Sequence, residues 1–283
     1  EILEAGARPG SKATIVPLTR SELDITDPKA VRQALARQKF DACLNAAAYT
    51  DVDRAETEPH LAFAANRDGA ENLAAACSGA GIPLIHVSTD YVFDGRSTRP
   101  YREEDPVSPL NVYGRSKAEG EERIRDRLRE HVILRTSWLY ATHGRNFLTT
   151  MLRLGRERET LSVVDDQAGC PTWAGDLARA ILLIADALPR TPSPWGTFHC
   201  CNQGETTWYG FARAIFELAP PAPRLRVREL RPIPSEDYPT PAERPRFSVL
   251  DCTRLADTFG IRPPQWRTGL ETALGSIRER ASG

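Results

Sequence analysis

Two side chains four residues apart, Tyr113 and Lys117 in LNVYGRSKAEGEERI, are the first in this sequence whose types and spacing suggest chemistry. The segment has good helix character, and an i,i+4 pair on a helix shares one face. A cation beside a phenol favours the phenolate and lowers its pKa from about 10, which would let Tyr113 exchange protons near neutrality as a general acid. Such a pair arises by chance roughly 0.1 times in a chain of this make-up, and its bland reading is a surface helix pair. A second group sharpens the chemical reading. The run PLIHVSTDYVF (83–93) is strand-like at its start and ends in Ser88, Thr89, Asp90 and Tyr91. Ligands of open α/β sheets bind outside the carboxyl ends of strands, so Thr89 stands where it can donate to the same substrate oxygen as the phenol.

The elements that must position these residues alternate. A β-like run at 13–18 leads to a turn and then to Asp27-Pro28, an N-cap with Pro at the first position of a helix over 28–38. An apolar run follows at 42–48, then a helix from 59 to 80, the strand ending at Thr89, the Tyr113 helix and a strand at 131–140. This order, with strands apolar on both faces, predicts an α/β fold: a Rossmann-type doubly wound parallel sheet. Beyond residue 143 helices are expected at 144–158, 172–188, 206–219 and 266–281, with short strands at 161–164 and 197–202. The expected division is a nucleotide-binding domain over 1–142, to which the strand near 197–202 returns, and a smaller α/β substrate domain over 143–283. The Pro- and Arg-rich stretch 219–247 reads as a linker or a binding surface.

Composition limits the function. The 283 residues carry 37 basic and 38 acidic side chains, a net charge of −1, which provides no global field for nucleic acid or an anionic membrane. No apolar run approaches the roughly 18 residues of a membrane-spanning helix. The six cysteines lack CxxC spacing and read as free, mostly buried thiols of a reducing cytoplasm, and the five histidines form no HxH or HExxH zinc motif. The one methionine is Met151 and the chain opens at Glu1, so the sequence is expected to start inside a longer protein.

The triad Thr89, Tyr113 and Lys117 does not stand alone. With it come NAAAYTDVDRAE (45–56), STDYVFDG (88–95), PYREEDPVSPLNVYGRSKAEGE (100–121), LRTSWLY (134–140), NFLTTML (146–152), DDQAGCPT (165–172) and RPRFSVLDCTRL (244–255). On these strings the chain resembles the extended short-chain dehydrogenase/reductase family over nearly its whole length. Within that family it is most similar to the branch that reduces dTDP-4-dehydro-β-L-rhamnose to dTDP-L-rhamnose for surface polysaccharide. The resemblance implies a hydride delivered to C4 from NAD(P)H and a proton donated by Tyr113 to the C4 keto oxygen. It implies that Lys117 holds the cofactor ribose and lowers the Tyr113 pKa, and that Thr89 hydrogen-bonds the keto oxygen. Thr50, Asp90 and Trp138 match sugar-pocket positions, Asp24 and Ile25 the adenine contact, and Ala46, Ala47 and Ala48 a turn whose small side chains let the backbone approach the cofactor. The bland alternatives are that Asp90 caps the next turn, that Trp138 belongs to the core, and that the alanines only pack tightly, although packing alone would not explain Asn45 and Thr50 around them.

Departures from the family pattern carry their own expectations. The family opens with a strand and a Gly-x-x-Gly-x-x-Gly loop that bring the pyrophosphate to a helix N-terminus. Here EILEAG reads as the end of that helix, so about 15 residues of strand and loop are expected before Glu1. An acidic residue after the second strand would select NADH; Thr19-Arg20 stands there instead, which predicts NADPH, with Arg20 available to its 2′-phosphate. Some relatives hold Mg2+ at a dimer interface through glutamates. Glu1 matches one of them but Gly175 stands at another, so no metal site is assigned, and whether the chain forms a homodimer is left open. Two other readings compete. One is a non-catalytic subunit like the regulatory subunit of methionine adenosyltransferase, which carries Asn where this chain has Thr89. The other is a nucleotide-sugar epimerase or dehydratase, and a dehydratase would have an acidic pair where Tyr91 follows Asp90.

Overall fold

A computed structural model of the chain describes residues 14–219 and 225–282. Four parallel strands form the central sheet, in the order β1 (Cys43–Asn45), β2 (Leu84–Thr89), β3 (His131–Thr136) and β8 (Gly196–His199). Outside it the short β4 (Leu139–Tyr140) pairs with β7 (Thr172–Trp173) and β6 (Ala168–Gly169) with β9 (Thr206–Thr207). Register pairs Leu84 with His131, His86 with Ile133 and Ser88 with Arg135, so these residues share one face. Apolar side chains of both faces are buried because helices cover each of them. On one side α1 (Pro28–Ala36), α4 (Gly69–Ala80) and α5 (Val112–Arg127) bury Val31, Leu73, Cys77 and Ile124 with Leu84 and Ile133. On the other, α7 (Ala174–Ala187) and α9 (Thr253–Phe259) bury Leu177, Ile181, Ile184 and Leu255 with Ile85, Val132, Leu134 and Phe198.

A separate core joins α6 (Phe147–Glu157), α8 (Trp208–Leu218) and α10 (Trp266–Ser282) around Leu148, Phe211, Ile215 and Leu270. The fold is therefore the expected α/β architecture. In sequence, α7, β8 and α9 all lie beyond residue 143 and yet pack with the first sheet.

Asp27 caps α1 through the N–H groups of Lys29 and Ala30, with Pro28 in the first turn; the helix ends at Ala36, before the expected 38. The expected strand at 13–18 is absent over 14–18. No neighbouring strand is there to accept its ladder among the described residues, and Val16 and Leu18 are 49% and 45% exposed. The segment EILEAG and Glu1 lie outside the described residues. The expected helix over 59–80 is three pieces: α3 (Pro59–Phe63), a π-helical turn (Ala64–Asp68) and α4. The extra residue of the π turn turns Asn66 inward, where its amide bonds Tyr49 N, Tyr49 O and Ser116 Oγ at 2.8, 3.0 and 2.9 Å. Within 219–247, β10 (Glu229–Ile233) pairs in parallel with β5 (Thr160–Val164), so part of that stretch is sheet rather than linker.

Helix α5 packs closely on the turn after β2 and on the π turn because two of its residues lack side chains. A Cβ on Gly114 would lie 2.2 Å from Tyr91 O, and one on Gly120 would lie 2.1 Å from Asn66 O. Its inner face is charged. Glu121 accepts from Ser88 Oγ at 2.7 Å, from Arg135 Nε and Nη2 at 2.9 and 2.7 Å, and from Arg125 at 2.7 Å. Burial pushes this carboxyl up, but the charge and hydrogen bonds of Arg135, with Arg125 and Ser88, outweigh it and hold Glu121 down at about 2. A carboxyl lowered on folding stabilises above its unfolded value, and that contribution is lost as pH falls toward the folded one. Arg135→Met, which strands the buried carboxylate, is expected to cost about 3–5 kcal/mol at neutral pH. The deficit should shrink between pH 5 and about 2, followed by denaturant melts.

Candidate active site

At the C-terminal end of the sheet, Thr89 closes β2 and Asp90–Val92 forms a 3-10 turn. Thr89 caps that turn: its Oγ1 accepts from Tyr91 N at 3.2 Å and donates to Asp90 Oδ1 at 3.0 Å. Asp90 itself is therefore not the cap. It is 2% exposed and its Oδ2 has no hydrogen-bond partner. Burial pushes the carboxyl up to about 6, against the pull of the Thr89 hydroxyl.

The start of α5 brings Tyr113 to the same place. Asn111 caps the helix through Gly114 N at 2.8 Å, donates to Glu243 O at 2.7 Å, and is seconded by Glu56, which accepts from Val112 N at 2.7 Å. These anchors come from three separate segments, and none was legible as a pair in the sequence. Tyr113 packs edge-on against Tyr91, with ring centroids 5.7 Å apart. Burial pushes its phenol up to about 12, the Thr89 hydroxyl pulling the other way and Asp90 adding to the rise.

The direction for Tyr113 corrects the expectation that Lys117 lowers its pKa. Lys117 is 1% exposed, and its Nζ turns to the strand, donating to Val87 O at 2.7 Å and lying 3.1 Å from His86 Nε2. Burial lowers the lysine itself to about 8, only partly opposed by Glu121. Desolvation of the phenol wins because the cation is committed elsewhere. The result suits a proton donor, since a raised phenol is held protonated at neutral pH.

Other predicted residues fall around this centre. Ala46, Ala47 and Ala48 continue past β1 and are exposed, so tight packing does not explain their size; their backbone is open to approach. Asn45, just before them, is buried and accepts from Ala47 N at 3.0 Å. Thr50 is exposed and Arg20 lies exposed in the turn over 20–22. Asp24 is engaged locally, accepting from Thr26 N and Oγ1 at 2.9 and 2.8 Å, while Ile25 packs over Gly69.

Trp138, two residues past the end of β3, has φ 45°, a conformation bulky residues avoid. Its ring stacks on Trp208 at 3.5 Å between centroids and 4° between planes, and a Cβ on Gly169 would come within 2.4 Å of it. Strain of this kind, overdetermined by its neighbours, is characteristic of a ligand-facing position. Trp208 and His86 escaped the sequence reading. Each looked like one more residue of an apolar or strand-like run.

Among the described residues no group of three or more His, Cys, Asp or Glu side chains could hold a metal ion, and no helix is long and apolar enough to cross a membrane. All six cysteines are free.

Known proteins place this arrangement in a family. Residues 2–279 match the family model described as RmlD substrate binding domain. The chain belongs to the RmlD family. It is 44% identical over 266 residues to a protein of Sinorhizobium fredii named dTDP-4-dehydrorhamnose reductase, covering 93% of this chain and 89% of that protein. A solved structure from Clostridium acetobutylicum, also named dTDP-4-dehydrorhamnose reductase, superposes with TM-score 0.90 at 37% identity, covering 98% of this chain and 94% of that one. One from Bacillus anthracis, described in complex with NADP, does so with TM-score 0.88 at 36% identity, covering 97% and 94%.

In this RmlD-family site the cost of burying Asp90 has a measurable sign. A carboxyl raised on folding destabilises the protein above its folded pKa and not below its unfolded one. Asp90→Asn is therefore expected to raise the thermal midpoint at pH 8 and leave it nearly unchanged at pH 3, read by calorimetry at the two pH values.

Proposed function

We propose that this chain reduces dTDP-4-dehydro-β-L-rhamnose to dTDP-L-rhamnose with NADPH. The reading rests above all on one observation: the hydroxyls of Thr89 and Tyr113 meet beside the buried Asp90 at the carboxyl end of a parallel strand. The names of the RmlD-family relatives support the same activity.

The residues present fit a dinucleotide. The exposed alanine turn offers an unobstructed backbone beyond β1, and Asp24 and Ile25 lie before α1 for the adenine. Arg20 supplies a cation, with no carboxylate at 19–20, for a 2′-phosphate, in keeping with the NADP named in the Bacillus anthracis structure. The nicotinamide, when bound, supplies the hydride that adds to C4 of the sugar.

Tyr113 gives its proton to the oxygen that becomes the C4 hydroxyl. Its raised pKa keeps that proton in place until charge develops on the oxygen. Thr89, turning its one hydroxyl hydrogen away from Asp90 Oδ1, donates a second hydrogen bond to the same atom and stabilises negative charge where it forms. Lys117 takes the ribose side of the site. Thr50, Asp90 and Trp138 line the sugar pocket, the indole providing a flat apolar wall. In this reading 1–142 carries the cofactor contacts together with Thr50, Asp90 and Trp138 of the sugar pocket, and 143–283, mainly a substrate-binding domain, backs that pocket with Trp208 behind Trp138. The free thiols fit a cytoplasmic setting. A non-catalytic binding subunit is the weaker reading, because it leaves the converging Thr89 and Tyr113 hydroxyls without use.

The test is NADPH consumption, followed by absorbance, with dTDP-4-dehydro-β-L-rhamnose made in situ; no consumption overturns the activity. Tyr113→Phe should lower kcat by about 10²–10⁴ while cofactor affinity by fluorescence titration stays within twofold. Full turnover in that variant would show that the acid is another group. Arg20→Ala should raise the KM for NADPH about tenfold, the worth of one charge-assisted hydrogen bond, and leave that for NADH nearly unchanged.

A further inference from the structure

A neutral imidazole has one donor and one acceptor nitrogen, and His86 has a partner on each. Asn45 Nδ2 lies 2.9 Å from Nδ1 and Lys117 Nζ lies 3.1 Å from Nε2. Burial, with the charge of Lys117, holds His86 well below the ordinary histidine range, so its ring is neutral.

The hydrogen on the ring is assigned from the far end of the array. Ala47 N–H can only donate, and its partner is Asn45 Oδ1 at 3.0 Å. The amide nitrogen of Asn45 therefore faces the ring and donates to Nδ1. That makes Nδ1 the acceptor and places the hydrogen on Nε2, directed at Lys117. Nζ must then accept from His86 while donating to Val87 O at 2.7 Å. An amine does both, whereas an ammonium has donors only.

The fully satisfied array thus belongs to the amine form of Lys117, the form present above its midpoint, and disfavours the ammonium in the same direction as burial does. Adding a proton to Nζ requires the His86 hydrogen to move to Nδ1, which then needs an oxygen where Asn45 presents nitrogen. Rotating that amide would set its NH2 against Ala47 N–H. We propose that Asn45 and His86 are positioning residues that couple the proton on Lys117 to the backbone of the alanine turn. The catalytic meaning of this coupling rests on the reading that Lys117 and the turn both flank the cofactor; the array itself does not.

The charged and titratable groups around Nζ are His86 on β2, Glu121 one turn further along α5 with Arg135 of β3 and Arg125, and Tyr113 one turn earlier beside Asp90. Of these, Glu121 favours the ammonium, but less strongly than burial opposes it.

The chain has only four lysines, Lys12, Lys29, Lys39 and Lys117, so their 13Cε signals are few enough to assign by NMR. In the protein as it stands, the Lys117 signal should titrate near 8. The His86 ring nitrogens and the Ala47 amide should follow with the same midpoint, and His86 should carry its hydrogen on Nε2 above it. In Asn45→Asp a carboxylate accepts on both sides, so the hydrogen should move to Nδ1 and the Lys117 midpoint should rise by about one unit. A hydrogen on Nδ1 of the unsubstituted protein above the midpoint would overturn the proposal. So would a His86 ring or Ala47 amide that ignores the lysine titration, and this reading needs no variant to fold. Loss of the reductase activity reading alone would leave these signals unchanged, so the two failures are separable.

Discussion

Burial of the Glu121 carboxylate between α5 and the sheet is the interaction on which the rest of the site depends. Moving a carboxylate and a guanidinium out of water costs several kcal/mol per ion, and only tight geometry recovers it. Glu121 meets that demand with hydrogen bonds from Ser88, Arg135 and Arg125. Because these partners lie on β2, on β3 and on its own helix, α5 has one favourable rotation and one height above the strands. Tyr113 and Lys117, two turns and one turn earlier, are placed by the same contact. The missing side chains at Gly114 and Gly120 let the helix come close enough to make it.

This polar layer explains why the electrostatics of the centre differ from a simple cation-phenol pair. With the Lys117 Nζ committed to Val87 O, desolvation governs both groups: it raises Tyr113 and lowers Lys117. Asp90 follows the same logic, a carboxyl kept dry with one oxygen unpartnered. Each of these groups is destabilised as an ion. Such groups favour taking or giving a proton over standing as fixed charges, a property suited to the proton donation proposed for Tyr113.

The surroundings of Trp138, the wall proposed for the sugar, are organised by shape. Trp138 occupies a backbone region where bulky residues rarely sit, and it remains there because Trp208 stacks on one side and Gly169 leaves room on the other. These three residues lie far apart in sequence, Trp138 just past β3 and Gly169 and Trp208 in the second half of the chain. Their cooperation turns a strained residue into a rigid wall, which lowers the entropy lost when a ring packs on it.

Much of the molecule follows from local pattern alone. Asp27-Pro28 announces a helix start through side-chain capping, and the apolar runs that begin at 83 and 131 announce buried parallel strands, because both signals act over a few residues. The strand expected over 131–140 stops at Thr136, before the positive φ of Trp138. The Tyr113–Lys117 spacing and Thr89 at a strand end likewise needed only the periods of helix and strand. What those periods could not contain was long-range. The π turn that points Asn66 at Ser116, the pairing of β10 with β5, the Trp138–Trp208 stack and the route of Lys117 to His86 all join residues far apart in sequence. The sequence by itself determined which groups could do chemistry and on which elements they ride. Only the tertiary structure decided their protonation, because a pKa follows from how deeply a group is buried and which partners the packed fold leaves it.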